Sequence, residues 1–199
     1  MYKRQVETYK RKVKKISDVL GYIESGLSLE LKEKDKRLGR YQTDGLTSDE
    51  VKIEYIVKKV NTSGIALQYE SSGTKKLVNL VSYLVEVYNN KNAILLVDDL
   101  DRDMHEFLVG ELLEVLSDGS RGQIIYTGHN LRALEVLPVE KLVFTTTNAD
   151  NRYIKLAHKV HNNKRSEYIR ALQLGGQEEE LYNYRNSSSI MVGLRKAGL

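Results

Sequence analysis

The run Ile94-Leu95-Leu96-Val97-Asp98-Asp99 constrains the fold of this chain more than any other stretch. Residues 93–97 have no polar side, the pattern of a short strand covered on both faces. The run then ends in two carboxylates. In open α/β sheets the C-terminal ends of strands are where ligands meet the chain. Before it, Leu77, Leu80, Val81, Leu84 and Val85 predict a helix over 74–89. After it, Met104, Leu108, Leu112, Leu113 and Leu116 predict a helix over 103–117, and 123–127 reads as a second strand. Strands alternating with helices predict an α/β fold with a largely parallel sheet flanked by helices.

The flanks read less sharply. Val6, Tyr9, Val13, Ile16, Leu20 and Ile23 recur at three- and four-residue steps, which predicts a helix over 3–24 stopped at Gly26. Alternation predicts strands at 27–32, 51–57 and 65–69. The charged segment 33–50, with Gly39, Asp44, Gly45 and Ser48, reads as loop. A short helix or turn is expected at 130–137 and a hairpin from 141–145 and 153–157. Residues 164–199 suggest two or three short helices, a small helical C-terminal lobe. Three regions follow: 1–50, a basic helix with strand and loop; 51–160, the α/β part; and 161–199, a helical extension.

Composition narrows the function classes. The 199 residues are 41% hydrophobic and 29% charged, with no cysteine. Disulfides, thiolate zinc sites and a Cys nucleophile are thereby excluded. No apolar run reaches the roughly 18 residues needed to cross a bilayer. The opening Met1-Tyr2-Lys3-Arg4 is polar, so the expected location is the cytoplasm. Net charge is +4, and residues 1–15 hold seven Lys or Arg against Glu7 alone. Such a helix can meet nucleic-acid phosphates or simply present a solvated face.

Three small groups carry chemistry. Asp98, held rigidly at a strand end, suits Mg²⁺ bound through water. Asp99 would orient or deprotonate an attacking water. An Asp-Asp turn after a buried strand is the plainer reading. Ser71-Ser72-Gly73-Thr74 directly precedes a helix. Small residues, hydroxyls and backbone N–H groups there can receive a phosphate, or a serine can merely cap the helix. His129 follows a strand and a glycine, where a neutral imidazole can donate to a phosphate or to water. His105 stands at the start of the next helix. Each histidine also reads as an ordinary polar loop residue.

In this order and spacing the groups resemble the ATP-binding cassette (ABC) type of ATPase. Closest in kind are its cytosolic members, AAA-family ATPases related to the overcoming-lysogeny-defect nucleases and bacterial phage-defence ATPases. The resemblance covers 50–150 and the flanks loosely. It implies that Ser71-Ser72-Gly73-Thr74 is the signature motif, Asp98 the Walker B aspartate, Asp101–His105 the D-loop and His129 the switch histidine. ATP and Mg²⁺ are the implied cofactors. A homodimer sandwiching two nucleotides is the implied partner arrangement, with nucleic acid or an effector protein as further partners and no membrane.

Two departures stand out. The family places Glu where this chain has Asp99, a side chain one methylene shorter. No Gly-x-x-x-x-Gly-Lys-Ser/Thr occurs; Gly21–Ser28 has the glycine spacing but Leu27 at the lysine position. The chain therefore reads as the C-terminal half of such an ATPase, needing a P-loop-bearing N-terminal segment or subunit. Alone it would bind ATP poorly. Ser71, Ser72 and Gly73 would serve the opposing protomer's nucleotide, and Asp98, Asp99 and His129 the chain's own. One competing reading is an inactive nucleic-acid- or protein-binding module on the same fold. Another is a Mg²⁺-dependent nuclease built on Asp98, Asp99, Asp101 and Asp103.

Overall fold

A computed structural model describes residues 2–35, 41–43, 46–48, 52–155, 164–174, 179–182 and 187–198. The chain forms two compact units, Met1–Val109 with Asp118–His129, and Gly110–Ser117 with Asn130–Leu199.

The first unit opens with α1 (Tyr2–Ile23). Val6, Val13 and Leu20 form its buried stripe, while Lys10, Arg11, Lys12, Lys14 and Lys15 are exposed. The helix packs on β1 (Ser28–Asp35), where the Ser17 hydroxyl accepts the Leu29 N–H at 2.9 Å. β1 pairs antiparallel with β4 (Lys52–Lys58), and β4 pairs with β5 (Ile65–Ala66). Alternation buries Leu29 and Val57 in this sheet. Two expectations need correcting. Segment 33–50 is not simply loop: β1 runs on to Asp35, and β2 (Tyr41–Thr43) pairs with β3 (Leu46–Ser48). The paired segments Tyr41–Thr43 and Leu46–Ser48 hold no charged residue, so the charges around them concealed the pairing. Gly39, Asp44 and Gly45, which suggested the loop, lie outside the described residues. The strand expected over 65–69 stops at Ala66, where pairing with β4 ends, and Leu67–Tyr69 is a 3-10 turn.

α2 (Ser72–Asn89) buries Leu77, Val78, Leu80, Val81, Leu84 and Val87. Val85 was expected on that stripe but is exposed. The helix packs against β6 (Ile94–Val97), which pairs in parallel with β7 (Gln123–Tyr126), Leu96 opposite Ile125. The α/β class is as expected. The parallel part is this pair, and the other described sheets are antiparallel.

One expectation about β6 fails. A strand apolar at every position was read as covered on both faces. Leu95 and Val97 are half-buried, but Ile94 is 66% exposed, Leu96 71% and Ile125 of β7 53%. Within the first unit the pair has one covered face and one open apolar face.

α3 (Glu106–Gly119) begins later than the 103 expected. The intervening residues make successive turns, with Arg102 N–H donating to Asp99 O at 3.0 Å and Met104 N–H to Asp101 O at 3.2 Å. Asp103 adopts φ +63°, which a helix start cannot use.

The second unit holds α4 (Arg132–Val136), the antiparallel pair β8 (Phe144–Thr145) and β9 (Tyr153–Ile154), α5 (Lys164–Leu174) and α6 (Ser187–Ala197). The helices are there, and the hairpin is shorter than the 141–145 and 153–157 expected: Val139–Lys141 is a 3-10 turn, only two residues pair on each side, and 156–157 lie outside the described residues. Phe144 stacks on Tyr168 at 5.1 Å between centroids. Glu135 accepts Arg165 at 2.8 Å and also Arg132. The Arg165 guanidinium, then that of Arg132, holds the Glu135 carboxyl below the usual carboxylate range. A depressed folded pKa stabilises above the unfolded value, and that stabilisation is lost as pH falls through the folded one. We expect Glu135→Gln to speed amide exchange in α5 near neutral pH, the difference from wild type vanishing in strong acid. An α5 exchange profile identical in the two proteins at every pH would refute it. No described helix is long and apolar enough to cross a membrane.

Candidate functional site

The C-terminal ends of β6 and β7 bring the expected carboxylates and histidine together. Parallel pairing continues past β6, with Thr127 N–H donating to Val97 O at 3.0 Å and Leu100 N–H to Thr127 O at 2.9 Å. Strand alternation puts Asp98 on the open face, in line with Ile94 and Leu96, and Thr127 in line with Ile125. The Thr127 hydroxyl donates to Asp98 Oδ1 and accepts the Asp99 N–H at 2.8 Å. One hydroxyl thus orients both neighbouring aspartates. It was missed as a site residue because a threonine at a strand end carries no signal of its own.

His129 is placed by its backbone. Its N–H donates to Asp101 Oδ2 at 2.7 Å, while its imidazole is 89% exposed with Nε2 3.4 Å from Asp99 Oδ1. The histidine and Asp99 therefore face the same spot in solvent, where either can reach a ligand. Burial, then the Asp101 carboxylate, pushes the Tyr126 hydroxyl up to about 12, so it stays a neutral donor at every physiological pH.

The start of α2 joins this cluster through the backbone of residues 99–103. Ser71 is the N-cap: its Oγ accepts the Thr74 N–H at 3.2 Å and shares a hydrogen bond with Thr74 Oγ1 at 2.9 Å. Ser71 and Ser72 are exposed, ahead of a helix start whose next N–H groups point outward. Gly73 touches the turn that follows β6: a Cβ there would stand 2.2 Å from Asp103 O. Lys76, one turn into α2, donates to Asp99 O and, at 3.2 Å, to Arg102 O. Behind the turn, buried Glu70 receives Lys59 Nζ at 2.6 Å. Ser71–Gly73, Asp98–Asp103 and Thr127–His129 thus form one connected neighbourhood.

His105 stands apart. It is exposed, stacked on Phe107 at 5.8 Å, and its Nδ1 accepts the Phe107 N–H at 3.3 Å. Its visible task is local, at the start of α3.

The donor set fits a magnesium-bound nucleotide better than a metal held by protein alone. Mg²⁺ commonly takes one or two carboxylates and keeps several waters. Asp98 is an exposed carboxylate oriented by Thr127, which suits that mode. Among the described residues no three His, Cys, Asp or Glu side chains are grouped to hold a metal. Asp101 is turned to the His129 N–H instead. The nuclease reading, which needs Asp98, Asp99, Asp101 and Asp103 to converge, has no geometric support.

No protein-family model matches the chain, and no curated protein matches it in sequence. Solved structures do match. One comes from work on the structural biochemistry of ATP-driven dimerization and DNA-stimulated activation of SMC ATPases: TM-score 0.54 and 14% identity over 82% of this chain and 93% of that one. A second is an Smc head domain with an extended coiled coil bound to the C-terminal domain of ScpA, from Pyrococcus furiosus, at TM-score 0.44 and 16% identity over 64% of this chain and 30% of that one. A third is an SmcHead bound to the C-winged helix domain of ScpA, at TM-score 0.47 and 15% identity over 65% of this chain and 38% of that one. The first, matched over most of both chains, establishes the architecture: this chain has the α/β fold of an SMC-type ATPase head.

Proposed function

We propose that this chain is the signature-and-Walker-B half of an ABC-type ATPase, working as an ATP-driven dimerising switch. The observation that carries the reading is the joined neighbourhood of Asp98, Asp99, Thr127 and His129 at the ends of a parallel strand pair, tied through Gly73 and Lys76 to an exposed helix start. The fold shared with an SMC ATPase supports it. A setting in DNA maintenance or phage defence rests on the motif resemblance alone.

Bound ATP and Mg²⁺ would supply the phosphoryl electrophile and its charge neutralisation. Asp98 would hold the metal through water, its carboxylate fixed by Thr127. Asp99 would orient the attacking water or take its proton, and His129 would donate to the terminal phosphate. Ser71, Ser72 and Gly73, with the dipole of α2, would receive the nucleotide of an opposing copy. His105 would stand at the dimer surface.

The open face of β6 and β7 supports a P-loop-bearing segment or subunit as the missing half. Two parallel strands with a bare apolar face are not a self-sufficient sheet. A strand-and-helix unit that extended the sheet and covered Ile94, Leu96 and Ile125 would also deliver phosphate-binding N–H groups beside Asp98 and Thr127.

The test is turnover by this chain together with a P-loop-bearing half. ATP hydrolysis is expected, lost in Asp98→Asn. Ser71→Arg should abolish nucleotide-dependent dimerisation. Asp99→Glu is expected to raise kcat about tenfold at unchanged KM, through a better-placed base. One feature favours the second reading, a binding module without turnover: Asp99 sits at φ +49°, where Asp is better tolerated than Glu. No hydrolysis by wild type and none by Asp99→Glu would decide for that module.

A further inference from the structure

We propose that Lys76 is the positioning residue that locks the D-loop onto the first turn of α2. It thereby links the turn offered to an opposing nucleotide with the carboxylates offered to the chain's own. The link to nucleotides rests on the ATPase reading; the lock itself rests on geometry.

Lys76 is half-buried, and its ammonium donates to two backbone carbonyls, Asp99 O and Arg102 O, the latter at 3.2 Å. These two carbonyls bracket one turn, in which the Arg102 N–H returns to Asp99 O at 3.0 Å. Lysine is suited to this task because one ammonium has three donors that can spread over several acceptors.

The turn needs such a tie. Asp99 lies at φ +49° and Asp103 at φ +63°, and neither is glycine. Non-glycine residues in this region persist only where their surroundings over-determine them. Asp98, Asp99, Asp101 and Asp103 also crowd negative charge into one short segment, which a neighbouring ammonium offsets. On the same side Gly73 leaves just enough room for Asp103 O. The first turn of α2 therefore meets the D-loop at two points, one steric and one charged.

The residue before the cap of α2 is braced too. Glu70, next to Ser71, is buried and held by Lys59 at 2.6 Å. The segment from Glu70 to Lys76 is pinned at both ends, so displacement of Ser71 is passed to Asp99 through Lys76. Nothing in the family's motif spacing marks this lysine.

The test compares the full chain with its K76M and K76R variants by amide hydrogen exchange. In K76M the Arg102 and Met104 amides are expected to exchange about tenfold faster, while β1 and β4 amides stay within about twofold of wild type. In K76R the fast exchange should largely revert. Unchanged Arg102 and Met104 exchange in K76M overturns the lock. Uniform acceleration that includes β1 and β4 also overturns it, because Lys76 would then merely stabilise the unit. With a P-loop-bearing half present, K76M is expected to lower kcat about 30-fold with KM within about twofold, as displacement of catalytic groups does. A raised KM with unchanged kcat overturns the link between the two ends. If neither wild type nor Asp99→Glu hydrolyses ATP, the ATPase reading fails, and the exchange experiment still decides the lock.

Discussion

Replacing Leu96 and Ile125 together by aspartate should leave this chain folded and destroy the proposed pairing with a P-loop-bearing half. In most proteins two aspartates in adjacent, register-paired strands would unfold the sheet. Here Leu96 is 71% and Ile125 53% exposed, and the covered face is made by Leu95, Val97, Ile124 and Tyr126. The folded chain therefore loses little on substitution. A pairing that buries both side chains loses about 1.5–3 kcal/mol of transfer energy per residue. It also has to bury two new charges, whose desolvation adds several more. Association should weaken more than about 100-fold, read by co-purification or calorimetry. A partner-free readout exists as well: the wild-type chain should bind a hydrophobic dye and self-associate on concentration, and the double variant should do less of both. Cooperative unfolding lost in the variant, or pairing retained, would refute the open-face reading.

The second large effect is expected at Gly73. In motif terms the glycine lets a phosphate approach. The structure gives it a further task, because the Asp103 carbonyl oxygen occupies the space a side chain would need. A methyl group 2.2 Å from a backbone oxygen cannot be absorbed by a rotamer change. Either α2 or the turn at 99–104 must move, which for forced shifts of packed backbone costs about 1–3 kcal/mol. Gly73→Ala should lower the melting temperature by several degrees and shift the amide resonances of residues 99–104. Ser72→Ala, one residue away and exposed, should do neither. Equal behaviour of the two variants would show that Gly73 is not a spacer.

Much of this fold was legible because it depends on local pattern. The stripe of α2, the aliphatic run of β6 and the strand at β7 could be read from spacing alone. Exposure of Ile94 and Leu96 could not. A strand covered on both faces and one whose second cover belongs to another segment carry the same run of residues, since sequence records what a face needs and not which chain supplies it. Segment 33–50 hides its strands for another reason: Tyr41–Thr43 and Leu46–Ser48 are three residues each, too short to show a period among the charges around them. At the site, Ser71, Asp98, Asp99 and His129 were visible through residue type and order. Thr127 and Lys76 were not. Their importance lies in which backbone groups they reach, and only folding brings residue 76 beside residues 99 and 102. Asp at position 99, where the resembled family has Glu, suits the positive φ found there.

The bare side of the β6–β7 pair has a consequence for how much of this protein a cell can tolerate. If the proposed P-loop-bearing half covers that face, a copy made without it would carry an adhesive strand surface. On that reading surplus would be lost to clumping or degradation, and supply would have to match that of the half that covers it.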